Sequence, residues 1–148
     1  MGQYHVEVSR VIAARPQDIY AVLADYRTTH PNILPSQYFK ELTVEEGGVG
    51  AGTVFRLRMS VMGASREYRM IVSEPEPGRV MVETDSEAGV VTTFTVDPLA
   101  NGAQSRVSIS LTGQTSHSPT TMVTMRLRTA IWYATTPRLS RNSQMTAR

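Results

Sequence analysis

The chemistry open to this 148-residue chain is narrow, because it has three histidines and no cysteine. His5, His30 and His117 are too scattered to form a short metal-ligand motif, and disulfides and thiolate metal sites are excluded. No metal and no cofactor are therefore expected. His30 precedes Pro31 in the stretch ADYRTTHPNILPS. Its unperturbed pKa near neutrality would suit an acid or base at a pocket mouth, although a surface or capping histidine is the plainer reading. Tyr68 lies in SREYRMIVSE, where alternation points it inward while Glu67 and Arg69 point out. It could hydrogen-bond a ligand carbonyl or donate a proton, or simply be a wall aromatic with a satisfied hydroxyl. Thr92 is the next polar candidate on an inward face. A Ser-His-Asp triad is a matter of geometry and cannot be assigned from spacing, so no catalytic residue is named.

The glycine run GGVGAG could suggest a phosphate loop, but that site needs a helix after the glycines. An alternating strand follows instead: in TVFRLRMSV, Phe55, Leu57, Met59 and Val61 point one way and Arg56, Arg58 and Ser60 the other.

The elements that must hold these residues follow from periodicity. HVEVSRVIAA reads as a first strand with Val6, Val8 and Ile12 on one face. RPQDIYAVLADY reads as a helix, with Pro16 at its first position, Asp18 in its first turn and Ile19, Val22 and Leu23 sharing a face. The polar run RTT and Pro31 should end it. Strands are expected in FKELTVEE, TVFRLRMSV, SREYRMIVSE, VMVETD, VVTTFTVDP and SRVSISLTG, with EPEPGR a loop and LANGAQS an Asn-Gly turn. Short turns between consecutive strands imply an antiparallel meander, greasy on one face and needing one cover. The cover is a C-terminal helix: Met122, Val123, Leu127, Ala130, Ile131 and Ala134 fit helical spacing, ending near Thr136.

The net charge of +2 hides an asymmetry: the first 97 residues carry 9 basic against 13 acidic groups, and the remainder carries six arginines and no acid. A solvated arginine-bearing helix and tail is the simplest reading, and no DNA partner is expected. The start, MGQYHVEVSR, is no secretory signal, and no stretch approaches the ~20 apolar residues of a membrane span, so a cytoplasmic protein is expected.

In GVGAGTVFRLRMSVMG, with RVIAARPQDIYAVLADY, SEPEPGRVMVET and TTFTVDPLANGAQSRVSISL, the chain resembles the polyketide cyclase/dehydrase and lipid-transport family of the START-like (SRPBCC) superfamily. The likeness runs from about Val6 to about Thr115; the acid-free, threonine-rich segment beyond it, interrupted by Pro137, departs from the family pattern. The resemblance implies an α+β helix-grip fold, a curved antiparallel sheet wrapped around the C-terminal helix with an internal cavity. One START-like domain over residues 1–136 and a flexible basic tail over 137–148 are expected. The cavity wall would comprise Phe55, Leu57, Met59, Tyr68, Met70 and Val82, then Phe94, Val96 and Ile109, and Met122 and Trp132 from the helix. His30, Ile33 and Leu34 would border the entrance, the last two held by Pro31 and Pro35, unless they merely plug the core. The expected function is binding of a hydrophobic small molecule: a lipid, an isoprenoid or a polyketide-like ring. The alternatives are a polyketide cyclase or aromatase, and an interaction module using the basic C-terminal segment, which alanine at Arg126 and Arg128 would test. A loosely packed terminal helix would expose an apolar groove for a second copy, so a homodimer is a further expectation.

Overall fold

The computed structural model of the chain describes residues 2–34, 36–61 and 63–115. Elements run β1 (Gly2–Ile12), α1 (Pro16–Ala24), α2 (Thr29–Ile33), β2 (Phe39–Glu46), β3 (Val54–Val61), β4 (Ala64–Glu76), β5 (Val80–Asp85), β6 (Val90–Leu99) and β7 (Gln104–Thr115). The strands form one curved, seven-stranded sheet in the order β1-β7-β6-β5-β4-β3-β2, with every neighbouring pair antiparallel. The two edge strands, β1 and β2, are consecutive in the chain and joined by α1 and α2. The expected C-terminal helix and tail, with Met122 and Trp132, lie outside the described residues, as do Pro35 and Met62.

Helix α1 begins on Pro16, whose missing N–H would find no partner in a first turn anyway. Asp18 binds the guanidinium of Arg15 at 2.8 Å. Ile19, Val22 and Leu23 are buried against the sheet, where α1 packs on β6 and β7. The chain then turns on Asp25, whose carboxylate accepts the backbone N–H groups of Arg27 and Thr28 at 3.0 and 3.1 Å. The first helix thus ends before the RTT run and Pro31, and a second short helix, which includes Pro31, follows the turn. Pro31 occupies the first turn of α2, where a proline costs no hydrogen bond.

Two other expectations change in the structure. The EPEPGR stretch is not wholly loop: β4 runs through Pro75 to Glu76, with a register shift between Ser73 and Glu76 that accommodates the missing proline donor. On β5 the buried positions are Met81, Glu83 and Asp85, and Val82 is only half-buried between Ser73 and Thr93. Val82 therefore stands on the face opposite Met81. The cross-strand pairing explains why, since Met81 lies opposite the buried Phe94 of β6. Burying that pair outweighs burying one valine.

Candidate functional site

Between the concave face of the sheet and α2 lies a cavity of about 120 Å³. β3 supplies Phe55, Leu57 and Met59, β4 supplies Tyr68 and β6 supplies Phe94, each an expected wall residue. Their positions follow from strand alternation. On β3 the arginines take the outer face, where Arg56 reaches Glu67 at 2.7 Å and Arg58 reaches Glu41 at 3.1 Å. Such exposed pairs add little stability, and they stand away from the cavity chemistry. Among the described residues, Phe39, Val90 and Leu111 add to the apolar wall, and Thr92 is a polar member of it.

Met70, Val96 and Ile109 are buried in the core and do not reach the cavity wall, and Val82 faces away. His30, Ile33 and Leu34 all line the cavity. His30 and Ile33, at 3% and 1% exposure, sit deeper than an entrance would, and Leu34 is partly exposed. α2 thus turns His30 and Ile33 into the interior.

The polar centre of the cavity is a buried cluster that the sequence reading missed in part. His30 Nδ1 donates to the carbonyl of Leu23 at 2.7 Å, and its Nε2 stands 3.8 Å from Glu83 Oε1. The Tyr26 hydroxyl donates to the same Glu83 oxygen at 2.5 Å. Tyr26 is held between two rings, His30 at 4.4 Å and Phe55 at 4.7 Å between centroids, and Phe94 meets His30 edge-on at 6.0 Å.

The glycine run fixes this arrangement from outside. Gly50 N–H donates to Ala24 O and Tyr26 N–H to Gly48 O, both at 2.9 Å, so the loop clasps the end of α1. Gly50 adopts φ +65° with Glu74 so close that a Cβ would sit 2.6 Å from Oε2. Only glycine suits that backbone and that approach. Glu74 in turn accepts the Tyr20 hydroxyl at 2.6 Å and the Ala51 N–H at 2.8 Å. The run is a structural clasp, with no helix behind it to hold a phosphate.

Desolvation sets the protonation of the cluster. Burial pushes the Glu83 carboxyl up to about 7, against the opposing hydrogen bond from Tyr26. Burial pushes His30 down to about 4, against the opposing contact with the Leu23 carbonyl. The Tyr26 hydroxyl is held well above its ordinary range, by burial first and then by Glu83. A separation of 3.8 Å would allow an ion pair, but burial disfavours both charges, so the pair is uncharged between about pH 4 and about 7. Among the described residues no cluster of three or more histidine or acidic side chains could hold a metal.

Glu83 and Tyr26 were legible only indirectly. Glu83 shares a two-residue period with Met81 and Asp85, and that inward set competes with the equally plausible Val80-Val82-Thr84. Tyr26 falls just past a helix end, where nothing in the sequence marks it as buried.

Residues 3–130 match the family model described as Polyketide cyclase / dehydrase and lipid transport. Among solved structures, the protein KanY, determined in solution by NMR, is 26% identical, with a TM-score of 0.81 over 97% of this chain and 99% of that one. The Zhui aromatase/cyclase from Streptomyces sp. R1128 is 16% identical, with a TM-score of 0.79 over 99% and 97% of the two chains. A START superfamily protein from Mycobacterium smegmatis is 16% identical, with a TM-score of 0.71 over 97% and 99%. No functionally curated protein matches the sequence. A family match over most of its length, on a curved antiparallel sheet of the same fold, makes this chain a member of the polyketide cyclase/dehydrase and lipid-transport family of the START-like superfamily.

Proposed function

We propose that the cavity binds a hydrophobic small molecule, with the concave sheet face as its seat. The observation that carries this reading is a partly open pocket of about 120 Å³ walled mainly by Phe55, Leu57, Met59, Phe94 and Leu111 among the described residues. An apolar cavity of about 150 Å³ in another protein stays dry and takes up benzene, so this space suits roughly one ring, or one end of a longer chain. Binding is driven by desolvation of apolar ligand surface at about 25 cal/mol per Å², less the costs of association. Lipid, isoprenoid and polyketide-like rings all fit that requirement.

Mass spectrometry of the purified protein, first native and then after organic extraction, tests the reading. It predicts a co-purifying or added apolar molecule at one per chain. A protein that arrives empty and ignores lipids, quinones and aromatic polyketides alike would overturn it.

A second reading is favoured by one specific observation, the buried Glu83–His30 pair. An uncharged acid beside an uncharged imidazole could move a proton to and from a bound ligand, as a cyclase or dehydratase requires. Turnover of a poly-β-ketone substrate, lost on Glu83→Gln, would support catalysis. Binding without turnover would leave the chain a carrier or sensor.

A further inference from the structure

We propose that Glu83 and His30 form a docking point for a hydroxyl group, so that the occupant of the cavity is an apolar molecule with a phenolic or enolic O–H at one end. The inference rests on the reading of the cavity as a hydrophobic binding site and adds the polar end of its ligand.

A carbonyl can only accept, so the 2.7 Å contact of His30 Nδ1 with Leu23 O places the ring proton on Nδ1. Nε2 of the neutral ring is then an acceptor, and it stands 3.8 Å from Glu83 Oε1. That separation is too long for a direct hydrogen bond. Tyr26 donates to Glu83 Oε1 at 2.5 Å, and Tyr26 is itself stacked on His30 and Phe55. Both Glu83 and His30 contribute to the cavity wall.

An oxygen placed beside the gap is within hydrogen-bond reach of both groups. Burial keeps Glu83 largely protonated below neutrality and His30 uncharged, so the pair offers one donor and one acceptor. A hydroxyl answers both, donating to Nε2 and accepting from the carboxyl group. An ether accepts only and leaves Nε2 without a partner. A carboxylate would have to bury its own charge in a desolvated site with no cation facing it among the described residues, which is the most unfavourable case. The surrounding wall is mainly apolar, with Phe55, Phe94 and Leu111, and Tyr68 and Thr92 are its other polar members among the described residues.

The test is calorimetric titration of the full chain at pH 6 with 4-propylphenol, propylbenzene, 4-propylanisole and 4-propylbenzoate. The phenol is expected to bind roughly tenfold more tightly than propylbenzene or the anisole, and the benzoate most weakly. In His30→Phe the phenol preference should fall to within about twofold, with propylbenzene affinity retained. Glu83→Leu provides the same readout should the histidine variant fail to fold. Equal affinity for all four ligands in the unmodified protein would overturn the hydroxyl dock and leave hydrophobic binding standing. So would a preference for the benzoate, or a phenol preference that survives loss of either side chain. Failure of all four to bind would overturn both readings.

Discussion

The buried acid and imidazole make an unusual demand on the pH dependence of stability. Burial moves Glu83 from its ordinary 4.5 up to about 7, so the folded protein holds that proton more tightly than the unfolded chain does. The stability this contributes is complete below about pH 4.5 and is lost as the pH climbs through about 7. His30 moves the other way, from 6.5 down to about 4. Its contribution is complete above about pH 6.5 and is lost as the pH falls through about 4. At about 1.4 kcal/mol per pKa unit, each group is worth about 3 kcal/mol across its window. The two slopes oppose and nearly cancel between pH 4.5 and 7, so the unmodified protein should show little net dependence from this pair. Single substitutions expose the hidden slopes. Relative to the unmodified protein, Glu83→Gln should lose about 3 kcal/mol of stability on going from pH 7 to 4.5. His30→Phe should show the reverse, losing about 3 kcal/mol on going from pH 4.5 to 7, on top of a pH-independent cost of about 1 kcal/mol for the lost Leu23 hydrogen bond. Urea unfolding followed by circular dichroism at four pH values across this range reads both differences directly. Curves for the two variants that run parallel to that of the unmodified protein would refute the reasoning, because they would mean that neither group is desolvated as the geometry requires.

Five other substitutions, Gly52→Ala and Val82→Thr serving as controls, probe the supports of the site. Tyr26→Phe removes a hydrogen bond that favours the Glu83 carboxylate, so the Glu83 pKa should rise further above 7, and a side-chain 13C titration should show it. Gly50→Ala forces an alanine to φ +65° and into Glu74, whereas Gly52→Ala, at φ +86° with open space around it, meets only the backbone penalty. The first should cost about 2 kcal/mol or more and the second about 1 in thermal or urea unfolding, and equal costs would remove the clasp role of Gly50. Met81→Thr should destabilise by about 2–4 kcal/mol while Val82→Thr stays below about 1, as measured by urea midpoints; the opposite order would show that the β5 register is wrong.

What the sequence disclosed followed from how strictly each segment alternates. On β3, Phe55, Leu57 and Met59 alternate with two arginines, and arginine cannot easily be buried, so the inward face was unambiguous. Tyr68 and Met70 were read correctly on β4 even though Ile71 interrupts the pattern, and Ile71 indeed stands 47% exposed. On β5, both candidate faces contain large apolar side chains, and propensity favours burying valines over a glutamate. The deciding contact, Met81 against Phe94, is made across strands and has no signature within VMVETD. That single ambiguity puts Val82, and not Glu83, among the expected wall residues. His30 was visible as a titratable residue beside a proline, but its burial depends on α2 folding back over the sheet. Its partner Glu83 is remote in sequence. Thr92, noted as the other inward polar group, lines the cavity from β6 directly opposite Glu83 in the register.

Intermolecular NOEs test the binding of an apolar molecule inside the sheet most directly. The protein would carry 13C-labelled methyl groups on isoleucine, leucine, valine and methionine, and propylbenzene would be added as the probe. Contacts from the probe to Ile33, Leu57, Met59 and Leu111 are predicted, with the exposed Val49 and Ile71 silent. Contacts confined to Val49 and Ile71, or none at saturating probe, would contradict it.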